Sequence, residues 1–110
     1  MSERPTKADD KEAISQGACS ILRERQRQVL AEGWTPDHDD EHHNGTLRIV
    51  AAQLAVEGTS ACVEHPDMPR DPWGLAAKHT NAIRRLEIAG ALIAAEIDRM
   101  RRAGYPHADD

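Results

Sequence analysis

From about Thr80 to Ala103 the chain places Ile83, Leu86, Ile93, Ile97 and Met100 on one stripe at helical spacing. Ile88, Leu92 and Ala95 fall on nearly the opposite side of the same helix. A helix apolar on two sides is either sandwiched between other helices or shared with a second copy of the chain. Gly90 lies inside the main stripe, where glycine costs about 1 kcal/mol against alanine, so it marks a close helix crossing. Gly104 and Pro106 end the helix, and the acidic tail 104–110 is expected to fray. The core around this helix must be aliphatic, because the 110 residues include no Phe and only 3% aromatics. A core that thin favours oligomerisation. A homodimer through Ile88, Leu92 and Ala95 is therefore expected.

Upstream, residues 1–8 read as a disordered lead and 9–103 as a single helical domain. Thr6 and Asp9 suit a helix cap, with Asp10 and Glu12 in the first turn. The first helix is expected to run to about Glu32 and to stop at Gly33. Its apolar face is Ile14, Ala18, Ile21, Leu22 and Val29. Near its end that face turns polar: Arg25 falls within it, and Gln28 and Glu32 lie at its edge. Two roles fit Arg25, a snorkelling surface cation or, with Gln28 and Glu32, one wall of a polar site. Thr46 suits an N-cap for a second helix over about 47–57, with Leu47, Val50, Ala51 and Leu54 inward. Residues 58–70 read as an irregular connection, and Asp71-Pro72 as the start of a short turn reaching Lys78. The fold class is all-α: a small bundle of three main helices, with no strand and no internal repeat.

The long connection 33–46 holds three histidines, three aspartates, a glutamate and Trp34. His38 and His42, and likewise Asp39 and His43, are four apart, so a helical turn here would project each pair from one face. Imidazole and carboxylate are common ligands of divalent ions. His38, Asp39, His42 and His43 are thus candidate ligands for Mg²⁺, Mn²⁺ or Zn²⁺, although the spacing matches no established motif. Arg25, Gln28, Glu32 and Trp34 are the candidate ligand-binding set beside them. Two other roles fit the same residues: a connection ordered by side-chain-to-backbone hydrogen bonds, with Trp34 and Pro36 as anchors, or a solvated acidic surface. Glu87 is either an extra carboxylate for this loop or a surface partner of nearby arginines.

A net charge of −5 argues against general nucleic-acid binding. No run approaches the length of apolar residues that spans a bilayer. The polar start, Met-Ser-Glu-Arg-Pro-Thr-Lys, lacks a signal-peptide core, so a cytoplasmic protein is expected. Cys19 and Cys62 fit no CxxC spacing and read as small hydrophobes.

Glu24-Arg25-Gln26-Arg27-Gln28, Glu32-Gly33-Trp34-Thr35-Pro36, His38-Asp39-Asp40 with His42, and the segment Arg84 to Ile93 together resemble a group of small phage and prophage proteins. The resemblance covers about residues 20–102. It implies an origin in a mobile element, in the host cytoplasm, more than an activity. Leu86-Glu87-Ile88-Ala89-Gly90-Ala91-Leu92-Ile93 is also similar to the last metal-binding helix of MazG-like all-α nucleoside triphosphate pyrophosphohydrolases. Glu87 matches that family's glutamate. Gly90 stands where its aspartate should be, and no ExxEE occurs on the second helix. Two function classes follow. One is an accessory binding protein engaging a host protein or a nucleotide-like ligand. The alternative is a metal-dependent hydrolase of a phosphorylated small molecule, with Arg25 holding phosphate.

Overall fold

The structure, a computed structural model, describes residues 15–57, 59 and 64–106. The expected lead, the Thr6–Asp9 cap, Ile14, Gly58, Cys62 and the last four residues lie outside them. The described residues form five helices and no strand: α1 (Gln16–Leu30), α2 (Pro36–Asp40), α3 (Thr46–Val56), α4 (Leu75–Lys78) and α5 (Ala82–Arg102). Three main helices and a short turn reaching Lys78 are expected from the sequence; α4 is that turn, and α2 is a further short helix within the expected loop.

Local chemistry explains each boundary. Ser15 is extended and its hydroxyl accepts from the Ala18 amide, so α1 starts at Gln16 rather than continuing from Asp9. Gly33 turns the chain with a left-handed φ of 73°. Thr35 caps α2 with Pro36 in the first turn. Thr46 is the first residue of α3, not its cap: Gly45 takes that place at φ 87°, and Asn44 Oδ1 accepts from the Thr46 amide. Asn81 caps α5 by accepting from the Arg84 amide.

Asp71 departs from the expected simple cap. It adopts φ 51°, unusual for a residue with a side chain. Its carboxylate accepts from the amides of Ala76 and Ala77, and its own amide donates to Gln53 Oε1 at 2.9 Å. One residue thereby caps α4 and ties it to α3.

α5 is the axis of the molecule, with α1 and α3 packed along it and α2 against it. The core consists of Leu47, Val50, Ala51 and Leu54 from α3, Leu75 and Ala76 from α4, and Ile88, Ala89, Leu92 and Ala95 from α5. Trp34 and Trp73 pack against it, half-buried.

Two expectations are reversed here. Ile88, Leu92 and Ala95, expected at a dimer interface, are the core itself, at 1%, 1% and 0% exposure. Ile83, Leu86, Ile93 and Ile97, expected inside, are 70%, 53%, 50% and 46% exposed. The helix is apolar on two sides as the sequence indicates, and Leu47, Val50, Ala51 and Leu54 of α3 pack on the side bearing Ile88 and Leu92. The second reversal concerns α1. Its buried residues are Glu24 and Gln28, while Ala18 and Leu22 are exposed. Ile21 is the apolar residue that meets α5, and a Cβ on Gly90 would come within 2.6 Å of it.

Candidate functional site

The polar end of α1 faces two ways. On one side Arg25 reaches into the loop: its Nη2 donates to Asp39 Oδ2 at 2.6 Å and its Nη1 to the Trp34 carbonyl at 3.4 Å. Asp39 is 1% exposed, so this charge is compensated where water cannot reach it. Trp34 in turn donates its amide to the Gln28 carbonyl at 2.9 Å. Gly33 and these three bonds fold the loop back on the helix that precedes it.

On the other side lies a charge cluster built on Glu24, a residue with no place in the sequence-derived site. Its carboxylate accepts from Arg27, from Gln28 Nε2 at 3.1 Å, and from Arg84 of α5 at 2.7 Å. Burial pushes this carboxyl up, but the bonds from Arg27, Arg84 and Gln28 outweigh it and hold Glu24 below its ordinary 4.5. Glu32 bonds Arg27 at 2.7 Å and is likewise held low by that bond. Gln28 is fully buried, and its Oε1 has no hydrogen-bond partner among the described residues. Spacing signals the cluster: Ile21, Glu24 and Gln28 are three and four residues apart and share one side of the helix.

Between α1, α4 and the start of α5 these residues line a cleft of about 130 Å³. Leu75 and Ile88 supply apolar surface, Trp34 an indole, and Glu24, Arg27, Glu32, Lys78, His79 and Arg84 the polar lining. Three cations thus stand against two carboxylates in a chain of net charge −5. Burial lowers the His79 pKa, and Arg84, Lys78 and Arg27 lower it further, which favours the neutral imidazole.

The loop histidines go elsewhere. Trp34, His38 and His42 are four residues apart, and their rings run in sequence: Trp34 stacks on His38 at 6.0 Å and His38 meets His42 edge-on at 5.1 Å. Trp73 closes the circuit, 5.1 Å from His42 and 6.1 Å from Trp34. Burial lowers the His42 pKa, as does His38, which keeps this ring neutral within the cluster. His38 Nδ1 lies 3.4 Å from Asp39 Oδ1. His43 is separate, exposed beside Asp40, Arg99 and Arg102. Arg102 donates to Asp40 at 2.8 Å and pins α2 to the end of α5.

The structure therefore joins Arg25 to Asp39, His38 to His42 and Trp34, and Glu32 and Trp34 to the cleft. It does not bring His43 to Asp39, because Asp39 turns inward to Arg25. Among the described residues no three His, Cys, Asp or Glu side chains converge as a metal-binding group. Glu87 pairs with Arg84 at 3.4 Å, as a surface partner would. Comparison with known protein families, characterised proteins and solved structures finds no match. No helix among the described residues is long and apolar enough to cross a membrane.

Proposed function

We propose that this chain is a small binding protein that takes a nucleotide-like ligand at the Trp34 cleft. The observation that carries this is the lining: an indole and two aliphatic side chains beside Lys78, Arg27 and Arg84. A planar ring stacks on an indole, and an adjoining phosphate finds the Lys78 ammonium, with Arg27 and Arg84 held beside it by Glu24. The Lys78 ammonium makes no hydrogen bond within the described chain and keeps its donors for a ligand. At about 130 Å³ the cleft falls below the usual 300–1,000 Å³ of small-molecule pockets, so it holds one end of such a ligand and leaves the rest in solvent. An accessory role in a phage or prophage, implied by the resemblance over residues 20–102, suits a protein that binds and does no chemistry.

The metal-dependent hydrolase is the weaker alternative. It would recruit His38, Asp39 and His42, which are committed to Trp34, Arg25 and Trp73. Calorimetric titration with nucleoside mono- and triphosphates, and with inorganic phosphate alone, tests the proposal. Saturable binding of a nucleotide, weakened by Lys78→Ala and stronger than that of phosphate, is expected. No heat from any of them at millimolar concentration would overturn it.

A further inference from the structure

The last turn of α5 holds a buried cation whose donors the fold leaves open. Arg99 is 6% exposed, and its Nε donates to Glu96. Neither Nη1 nor Nη2 makes a hydrogen bond among the described residues, and neither is shut off from solvent. Burying a guanidinium is costly unless its N–H groups find acceptors. Here Nε has one and the fork beyond it has none.

The usual acceptors are already engaged. An arginine near a helix C-terminus ordinarily turns to the last carbonyls. In α5 the chain itself takes them: Ala103 donates its amide to the Arg99 carbonyl, Gly104 to that of Arg101 and Tyr105 to that of Met100, with Gly104 at φ 88°. Glu96 is shared as well, since its other oxygen accepts from Arg48 Nε at 2.8 Å.

Arg99 lines a cavity of about 200 Å³ between α2 and the end of α5, together with Asp40, His43, Arg102 and Ala103. Arg102 is three residues on and lies on the same side of the helix. It gives Nε and Nη2 to Asp40 and keeps Nη1. His43 is exposed at the same cavity. Among the groups joined by these bonds, three guanidiniums, Arg48, Arg99 and Arg102, stand against two carboxylates, Glu96 and Asp40.

We propose that this cavity is an oxyanion site, filled by inorganic phosphate or by the phosphate end of a larger molecule. The two Nη groups of a guanidinium match two oxygens of such a group, and Arg102 Nη1 and the His43 ring stand by for a third. The cavity is below the usual size of small-molecule pockets, which suits an ion or one end of a ligand. It shares no lining residue with the Trp34 cleft, and about 22 Å of helix separates Arg84 from Arg99. The site therefore stands apart from the ligand proposal.

Titration of the isotope-labelled full chain with inorganic phosphate, read residue by residue by NMR, tests it. Saturable shifts are expected at His43, Arg99, Arg102 and Ala103. Glycerol phosphate in a parallel titration separates the two sources: tighter binding than phosphate assigns the site to a phosphate ester, and equal or weaker binding to the free ion. Arg99→Lys keeps a charge for Glu96 and removes the fork, so it should weaken binding at least about tenfold with helical circular dichroism unchanged. Arg102→Gln, at a more exposed position, should weaken it about two- to fivefold and keeps the test decisive should Arg99→Lys disturb the fold. No saturation at millimolar phosphate, the same shifts from chloride at equal ionic strength, or binding indifferent to both variants would overturn the proposal. Shifts confined to Lys78 and His79 would overturn it too, while leaving the reading of the Trp34 cleft intact.

Discussion

α1 and α3 flank the same helix and are held to it by different chemistry. α3 presents Leu47, Val50, Ala51 and Leu54 to Ile88, Leu92 and Ala95, and adds an ion pair from the exposed Arg48 to the buried Glu96 carboxylate of α5 at 2.8 Å. α1 presents Glu24 and Gln28, and its link to α5 is Glu24–Arg84 with Ile21 over Gly90. Apolar burial is non-directional and stabilises in proportion to area. A buried carboxylate among arginines contributes little net stability but tolerates few geometries. The α3 side therefore holds the fold together, and the α1 side fixes where the cleft-lining groups stand.

The sharpest way to break this division is at the loop. Arg25→Ala leaves Asp39 buried without its partner and should destabilise by about 3–5 kcal/mol, measured by urea unfolding. Replacing both residues by apolar ones should recover much of that loss. A loss under about 1 kcal/mol for the single change, the value of a surface pair, would mean that Asp39 is not held as described. On the apolar side Leu92→Ala should cost about 2–5 kcal/mol by the same measurement. Leu22→Ala, at an exposed position, should cost almost nothing.

Acid separates the loop from the ion clusters on both sides of α5. The His42 pKa is lowered in the fold, so the fold favours neutral imidazole. Its contribution is complete above about pH 6.5 and is lost as pH falls below that value. Glu24 and Glu96 are held below 4.5, so their contributions persist through that first loss and disappear only as pH falls below about 4.5. The melting temperature should therefore fall in two stages. His42→Gln should remove the first, and its persistence in that variant would refute the assignment to His42. Among the ion pairs the smallest effect is expected at Arg102–Asp40, half in solvent, where Asp40→Asn should cost about 0.2–1 kcal/mol.

The sequence makes the apolar side legible and the polar side only in part. Leu47, Val50, Ala51 and Leu54 announce their burial by helical spacing, and all four are buried. The two faces of α5 are equally visible, but spacing within α5 cannot say which one α3 covers. On α1, spacing centred on Ile14 and Val29 puts Leu22 inside and overlooks Glu24. Burial of a glutamate is chosen by Arg84, sixty positions away, and local pattern carries no trace of it. Arg25 and Asp39 are only fourteen positions apart, on either side of the turn at Gly33, so the sequence already sets the polar end of α1 beside the loop. Trp73 is not, so the ring circuit was hidden although Trp34, His38 and His42 share a spacing.

Asp71 constrains substitution in a way that neither burial nor charge does. Its backbone conformation suits glycine best, and asparagine or aspartate next. Its two carboxylate oxygens each hold a separate amide, Ala76 and Ala77. Glycine would relax the backbone and abandon both amides, asparagine would keep the turn with one acceptor oxygen, and glutamate would keep two oxygens on a longer arm and a less tolerant backbone. Any lineage that varies this position must therefore give up either the turn or half of the α4 cap, and the junction between α3 and α4 should drift more slowly than its half-exposed position suggests.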